Sequence, residues 1–529
     1  MGTVGEHYRN LDHTENYDAV VIGSGIGGLG VAALLASEAG KRVLVLERHT
    51  VAGGFTHTFS RKGWEWDTGL HYVGGVHEEN SFLRRIFDRV TQSRLEWQPT
   101  GDIVDRIVIG DQEFEYLAGR KRWRERMLAD FPAEEAAVDR FLELVGDTRK
   151  RSMGFFGEKA VPAPIAFVFG RLMRRGFLKH SDRLLGDVLD ALTDDQMLKA
   201  VLSAQYGDHG MPPAQASFAM HAMVFAHYLE GAAYPKGGSA AIAEAIAPTI
   251  EATGGRIVVG AEVVEILTAG NRVTGVRMAE GDEILCSLVI SDVGIPNTAG
   301  RLLPEGTPGR RPLLEAAKAA GPSVGHCCLH IGLEKTAEEL GLPMANIWVY
   351  PGEDHDESLR RFEADPTAPL PLVFISFPSA KDPDFERRHP GRATIEVTTF
   401  APYERFSRWQ DQSAGRRDEG YVEMKKELSD RLLQTLYQQV PQVEGEVAFH
   451  DLSTPLTTRW FCNYEHGEVY GLNHGPARFR QRALKPKTPI KGLWLTGQDA
   501  CTAGIAGALL GGVLSASAIL GRNLLKTIS

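Results

Sequence analysis

Gly23, Gly25 and Gly28 stand on a G-x-G-x-x-G spacing, and an acid, Glu47, follows them down the chain. Glycines so spaced suit a pyrophosphate: the first permits a tight turn, the second lets phosphate approach the backbone, and the third lets a helix pack closely. An acid at Glu47 accepts hydrogen bonds from a ribose 2′-hydroxyl and repels a 2′-phosphate, so the ligand is a dinucleotide with a free ribose. Gly53 and Gly54 come next, a pair that lets backbone lie against a bulky ligand or serves an ordinary loop. Arg48 is placed to pair with a phosphate or to stand in solvent.

The elements that must position these residues are legible around them. An apolar run over 19–22, the glycines, a stretch of small residues and a second apolar run ending in Glu47 predict strand, turn, helix and strand. The phosphates then sit at the helix N-terminus, where unpaired N–H groups and the dipole favour negative charge. With 529 residues the chain is expected to form two or more domains. Its 43% apolar and 24% charged content is that of an ordinary globular protein, and a net charge of −10 argues against nucleic acid as a partner. The 5 cysteines lack C-x-x-C spacing and the 17 histidines lack ligand spacing, so neither a disulfide framework nor a metal is expected. Residues 1–16 are polar and carry no signal-peptide pattern. A reducing compartment, the cytoplasm, is the default.

From about 78 to 229 the pattern is mostly helical and reads as a separate lobe. Within it, 155–180 mixes aromatics with Arg171, Arg174, Arg175 and Lys179. That mixture suits a segment lying on a membrane, a tunnel mouth for a greasy substrate, or a core helix with a solvated basic face. Pro162 and Pro164 interrupt it, so it does not span a bilayer. Sheet-and-helix composition returns after Tyr234, and strands spaced by turns over 323–400 read as an antiparallel sheet. The last segment is a strand, a turn holding Gly497 and Asp499, and a long helix of Gly and Ala. Its small faces fit tight packing better than a membrane span.

The chain resembles the FAD-dependent polyene oxidoreductases, which include phytoene desaturases, carotenoid isomerases and retinol saturases, the last group most of all. The resemblance runs over nearly the whole length. It rests on DAVVIGSGIGGL, on AGG followed by HTF at 57–59, on DTGLHY at 67–72, on HYL at 227–229 and on YPKGG at 234–238. FISFPSAKDP at 374–383, TPLT at 454–457 and LTGQD before the last helix complete it. LTGQD departs from the desaturase pattern and favours the saturase and isomerase branch.

That resemblance implies an α/β fold: a Rossmann-like FAD-binding domain with a doubly wound, mainly parallel sheet and an inserted α+β substrate domain, as in amine oxidases and phytoene desaturases. It assigns 1–75, 233–300 and 451–529 to the FAD domain, 76–232 to a helical, membrane-facing lobe and 301–450 to an antiparallel-sheet lobe. Gly23, Gly25 and Gly28 would hold the pyrophosphate and Glu47 the adenosine ribose. Gly54 would lie near the isoalloxazine, Val264 beside the adenine, and Gly497 with Asp499 at the ribityl or phosphate end. Gly504 and Ile505 would open the last helix under the flavin. The implied reaction is saturation or hydride-mediated isomerisation of C=C bonds in a long apolar polyene. Alternatives are flavin-dependent desaturation, or prenyl or lipid binding without redox work. No second dinucleotide fingerprint is present, so electrons for saturation come from NAD(P)H binding transiently or from a partner reductase. Saturation also needs a proton. His71, Tyr72, His227 and Tyr234, polar residues in the matching motifs, are the candidate donors, each with a packed or backbone-bonded ring as its alternative.

Overall fold

A computed structural model describes residues 4–161 and 163–528, with 163–165 followed by backbone alone. Strand β1 (Ala19–Ile22), helix α1 (Ile26–Ala39) and strand β2 (Val43–Glu47) form the expected opening unit. All of β1 is buried, as a parallel strand covered on both faces requires. Helix α1 ends at Gly40, whose φ of 62° is the left-handed conformation that closes a helix cheaply only for glycine. The six-stranded sheet runs Glu6–His7, Arg256–Val259, β2, β1, Val289–Ser291, Leu493–Leu495, and every neighbouring pair is parallel. Its strands come from three distant stretches of chain, so the glycine turn meets residues near 292 and 497 at the carboxyl ends of the strands.

The helix Gly504–Leu520 lies on α1. A Cβ on Gly30 would come within 2.7 Å of Leu509, and one on Gly512 within 2.9 Å of the Gly27 carbonyl. The small residues thus let two helices touch backbone to backbone. Among the described residues no helix is long and apolar enough to cross a membrane.

The second sheet has seven strands, in the order Val447–Ser453, His326–Leu333, Ala393–Phe400, Val373–Ser376, Asn346–Tyr350, Ile103–Ile109, Gln112–Leu117. Two expectations are corrected here. The region read as helical donates the hairpin 103–117, and the sheet is mixed, because Asn346–Tyr350 pairs parallel with Ile103–Ile109. Alternation of buried and exposed residues over 112–117 carries the strand signal, which the long helices on either side outweigh. Helices α2 (Glu135–Glu158) and α3 (Ala163–Ser181) form a hairpin on the outside of this lobe. Phe155 stacks on Phe177 at 4.5 Å between ring centroids.

Candidate active site

A cavity of about 230 Å³ opens at the carboxyl ends of the parallel strands. Gly23, Gly25, Glu47, Arg48, Gly53, Gly54, Gly497, Asp499, Gly504 and Ile505 all line it. Gly23 turns the chain with φ of 94°. Gly28 stays behind the wall, where a Cβ would strike the Gly23 carbonyl, so it acts through helix packing. Glu47 Oε2 accepts from the Ser24 amide at 2.9 Å and hydroxyl at 2.7 Å, and Oε1 accepts from the His49 amide at 2.7 Å. The carboxylate is thereby held at the rim by its neighbours. Asp499 accepts one amide on each oxygen, Ile295 and Leu472, both at 2.9 Å, which ties three segments to one side chain.

Two assignments move. Side chains alternate along Val263–Thr268, so Val264 points outward, 43% exposed, while Val263 lines the cavity. Arg48 Nη2 donates to the carbonyls of Trp460 and Phe461 at 2.6 and 2.9 Å, which fastens a neighbouring helix to the rim.

Sequence reasoning passed over Asp292. It follows the strand Val289–Ser291, and a Cβ on Gly25 or Gly27 would come 2.5 or 2.6 Å from its carboxylate oxygens. Burial pushes its pKa up to about 8, helped by repulsion from Glu47 and Asp499 and opposed by a hydrogen bond it accepts from the Gly28 amide. Its signal was positional, an acid at the end of the strand beside β1, where ligands of such sheets bind.

The second cavity, about 790 Å³, shares His49, Val51, Gly54, Phe55, His57, Phe461 and Cys462 with the first. Phe59, Leu452, Leu456 and Trp460 make it largely apolar, while Arg61, Lys425 and Asp451 sit on its wall, Lys425 bonding Asp451 at 2.9 Å. A volume of that order holds a drug-sized apolar molecule. His57 stands in the shared wall with Nδ1 2.5 Å from the Gly54 carbonyl, and burial keeps its pKa below the ordinary histidine value. His326 and His330 also line the chamber, and burial lowers them to about 4 and about 3.

None of the four proton donors inferred from the sequence lines either cavity. His227 Nε2 accepts the Gly74 amide at 2.9 Å. The Tyr234 hydroxyl bonds Asp67 inside the fold, and the Tyr72 hydroxyl donates toward Asp105 and Asp208 at 3.2 and 3.3 Å. His71 Nδ1 lies 3.0 Å from Glu396 Oε2, in a buried cluster with Lys381, whose ammonium donates to the His71 carbonyl at 3.0 Å, to Ser376 at 2.7 Å and to Asn346. Burial raises Glu396 to about 8 and Asp67 to about 7, and lowers Lys381 to about 7 and His71 to about 3. These groups join the two lobes. The motifs were recognisable, but their polar residues turn inward, away from the chamber.

A glycine cradle, three acids suited to ribose and ribityl hydroxyls, and a helix N-terminus beyond them define a flavin dinucleotide site joined to an apolar chamber. Residues 26–520 match the family of flavin containing amine oxidoreductases, and the chain belongs to that family. Its cofactor is FAD, which the cradle fits: a Cβ at Gly25 or Gly27 would strike Asp292 or the Gly497 backbone and disturb the turn that lines the cavity. The chain is 37% identical to an all-trans-retinol 13,14-reductase of Danio rerio, over 96% of this chain and 87% of that one. It is 25% identical to a chloroplastic prolycopene isomerase of Arabidopsis thaliana, over 92% and 80%. Among solved structures, an oxidoreductase from Methanosarcina mazei superposes with a TM-score of 0.62 at 17% identity, over 93% and 98%.

Proposed function

We propose that this protein is an FAD-dependent oxidoreductase acting on C=C bonds of a long apolar polyene of retinoid or carotenoid type, by saturation or isomerisation. The observation that carries the reading is the shared wall: Gly54, Phe55 and His57 line both the apolar chamber and the cofactor cavity. The likeness to retinol reductases and prolycopene isomerases points to the same substrate class. FAD, when bound, supplies two-electron hydride exchange. The glycine turn and the start of α1 would hold its phosphates, Glu47 its ribose hydroxyls, and Asp499 with Asp292 the segment between. Phe59, Leu452 and Leu456 exclude water from the polyene, and Trp460 and Phe461, both exposed, form the chamber's outer edge. His57 is the proton carrier we favour, because it alone among the titratable chamber residues with a lowered pKa also lines the cofactor cavity. Electrons for saturation come from NAD(P)H or a partner reductase.

The test is anaerobic single turnover of the pre-reduced protein with a coloured polyene. With the reduced protein, loss of conjugation shifts absorption to the blue and supports saturation, whereas a red shift in a parallel incubation with the oxidised flavin, the form that can accept a hydride, reports desaturation. An isomer of unchanged mass reports isomerisation. Protein that purifies without flavin and still binds the polyene overturns the redox reading.

A further inference from the structure

We propose that the apolar chamber takes a polyene that ends in a carboxylate, and that Arg61 and Lys425, joined across Asp451, hold that end. The proposal rests on the polyene reading and adds the head group to it. His57 is extended and leads into the strand Thr58–Arg61, so side chains alternate and those of His57, Phe59 and Arg61 share one side. All three line the chamber. Four extended residues rise about 13 Å, which sets Arg61 well beyond the wall shared with the cofactor and leaves Phe59 between as an apolar spacer. Two other elements bring the partners. Asp451 lies opposite His330 where Val447–Ser453 pairs with His326–Leu333, and both residues line the chamber. The helix Glu419–Gln439 carries Tyr421 and Lys425 one turn apart on one face. Asp451 accepts from Arg61 on Oδ2 and from Lys425 on Oδ1, the latter at 2.9 Å.

Charge selects the head group. In a chain of net charge −10, the chamber wall gathers Arg61, Arg417 and Lys425 against a single acid, Asp451. Arg417 is engaged elsewhere, its Nη1 donating to the Tyr421 hydroxyl at 3.2 Å. What remains is two cations on one carboxylate, with one positive charge in excess. A single carboxylate neutralises that excess, and the planar guanidinium fork matches its two oxygens. An ester or an alcohol leaves the charge uncompensated, and a diphosphate overshoots it. Arg61 is exposed while Asp451 and Lys425 are partly buried, so the head keeps contact with water as the chain lies along Phe59 and Leu452. No charge has to be buried unpaired to seat the ligand.

The FAD-bound protein, with no electron donor present, is titrated with β-apo-8′-carotenoic acid, its ethyl ester and the corresponding alcohol, and binding is followed by quenching of protein fluorescence. The acid should bind about tenfold or more tighter than either of the others, an advantage that shrinks as salt rises. Arg61→Gln should erase the preference and leave the affinity for the ester unchanged. Asp451→Asn should act in the opposite direction and tighten the acid alone, because the competing carboxylate is gone. A purely structural triad would instead weaken all three ligands in both variants, and that result overturns the proposal. Equal affinity for acid, ester and alcohol overturns it too and leaves the polyene reading standing, whereas no binding of any of the three overturns both. Tighter binding of geranylgeranyl diphosphate than of the acid overturns the carboxylate assignment. If Arg61→Gln loses flavin absorbance or its thermal transition, Lys425→Gln carries the test.

Discussion

The imidazole of His57 and the carbonyl of Gly54 meet at 2.5 Å, Nδ1 to oxygen, in the wall that divides the cofactor cavity from the chamber. A carbonyl accepts only, so Nδ1 holds its hydrogen and Nε2, bare in the neutral ring, is the nitrogen that gains and gives up the exchangeable proton. His49 lies 5.1 Å away, ring centroid to centroid, and adds repulsion to the burial that disfavours the charged ring. The arrangement yields a fixed tautomer on a glycine turn whose two residues, Gly53 and Gly54, have φ of 123° and 56°.

His57→Ala should keep its flavin and slow single-turnover saturation by about a hundredfold or more, the usual contribution of a general acid. Because the pKa of the ring is lowered, its charged form grows only as pH falls below the ordinary histidine value, so the wild-type rate should rise on that side and the variant's should not. A loss of a few-fold with an unchanged pH profile would move the role to His326 or His330.

Glu47→Arg should lose the cofactor. The substitution removes the acceptor from the ribose and also breaks the contacts to Ser24 and His49 that shape the rim. Three charge-assisted bonds within the protein, of about 1.5–3 kcal/mol each, are at stake. A yellow protein of undiminished flavin affinity, measured by fluorescence titration, would refute the assignment.

The parallel sheet and the cofactor loop could be read from sequence because local signals agree there: apolar runs, glycines and a terminal acid occupy one continuous stretch. Asp292 was invisible because its meaning depends on which strand lies next to β1, a fact set some 270 residues downstream by sheet order. The chamber was hidden for the same reason, since Phe59, His330 and the pair Leu452 and Trp460 come from three separate stretches of chain. His71 and Tyr234 misled because a polar residue in a recognisable motif can serve the join between lobes as readily as the reaction.

Asp292→Asn should flatten the alkaline side of flavin binding. In the wild type the neutral carboxyl faces the glycine turn at pH 7, and raising pH through about 8 ionises it beside the phosphates. Like charge then weakens binding. The variant keeps a donor of the same shape without the charge. Equal loss of flavin from both proteins between pH 7 and 9 would exclude Asp292 from the site.

Glu396 and Lys381 make opposite demands on pH, and stability should record both. Glu396 holds its proton to about pH 8 when folded and only to its ordinary value when unfolded. Between those values the folded state binds more protons, so this group's contribution falls as pH rises and levels off beyond 8. Asp67 acts the same way up to about 7. Lys381 is lowered to about 7, so between there and its ordinary value near 10.5 the unfolded chain binds more protons and stability rises with pH. The cluster therefore imposes a shallow minimum near pH 7–8, each proton contributing at most about 1.4 kcal/mol per pH unit. Glu396→Gln should soften the acid-side slope. Lys381→Met should erase the alkaline rise and cost about 3 kcal/mol at neutral pH, because the acceptors at His71, Ser376 and Asn346 lose their shared donor inside the protein. Urea unfolding of the three proteins across pH 5–10 measures it, and superimposable curves for Lys381→Met and wild type would show that the buried ammonium does not titrate with folding.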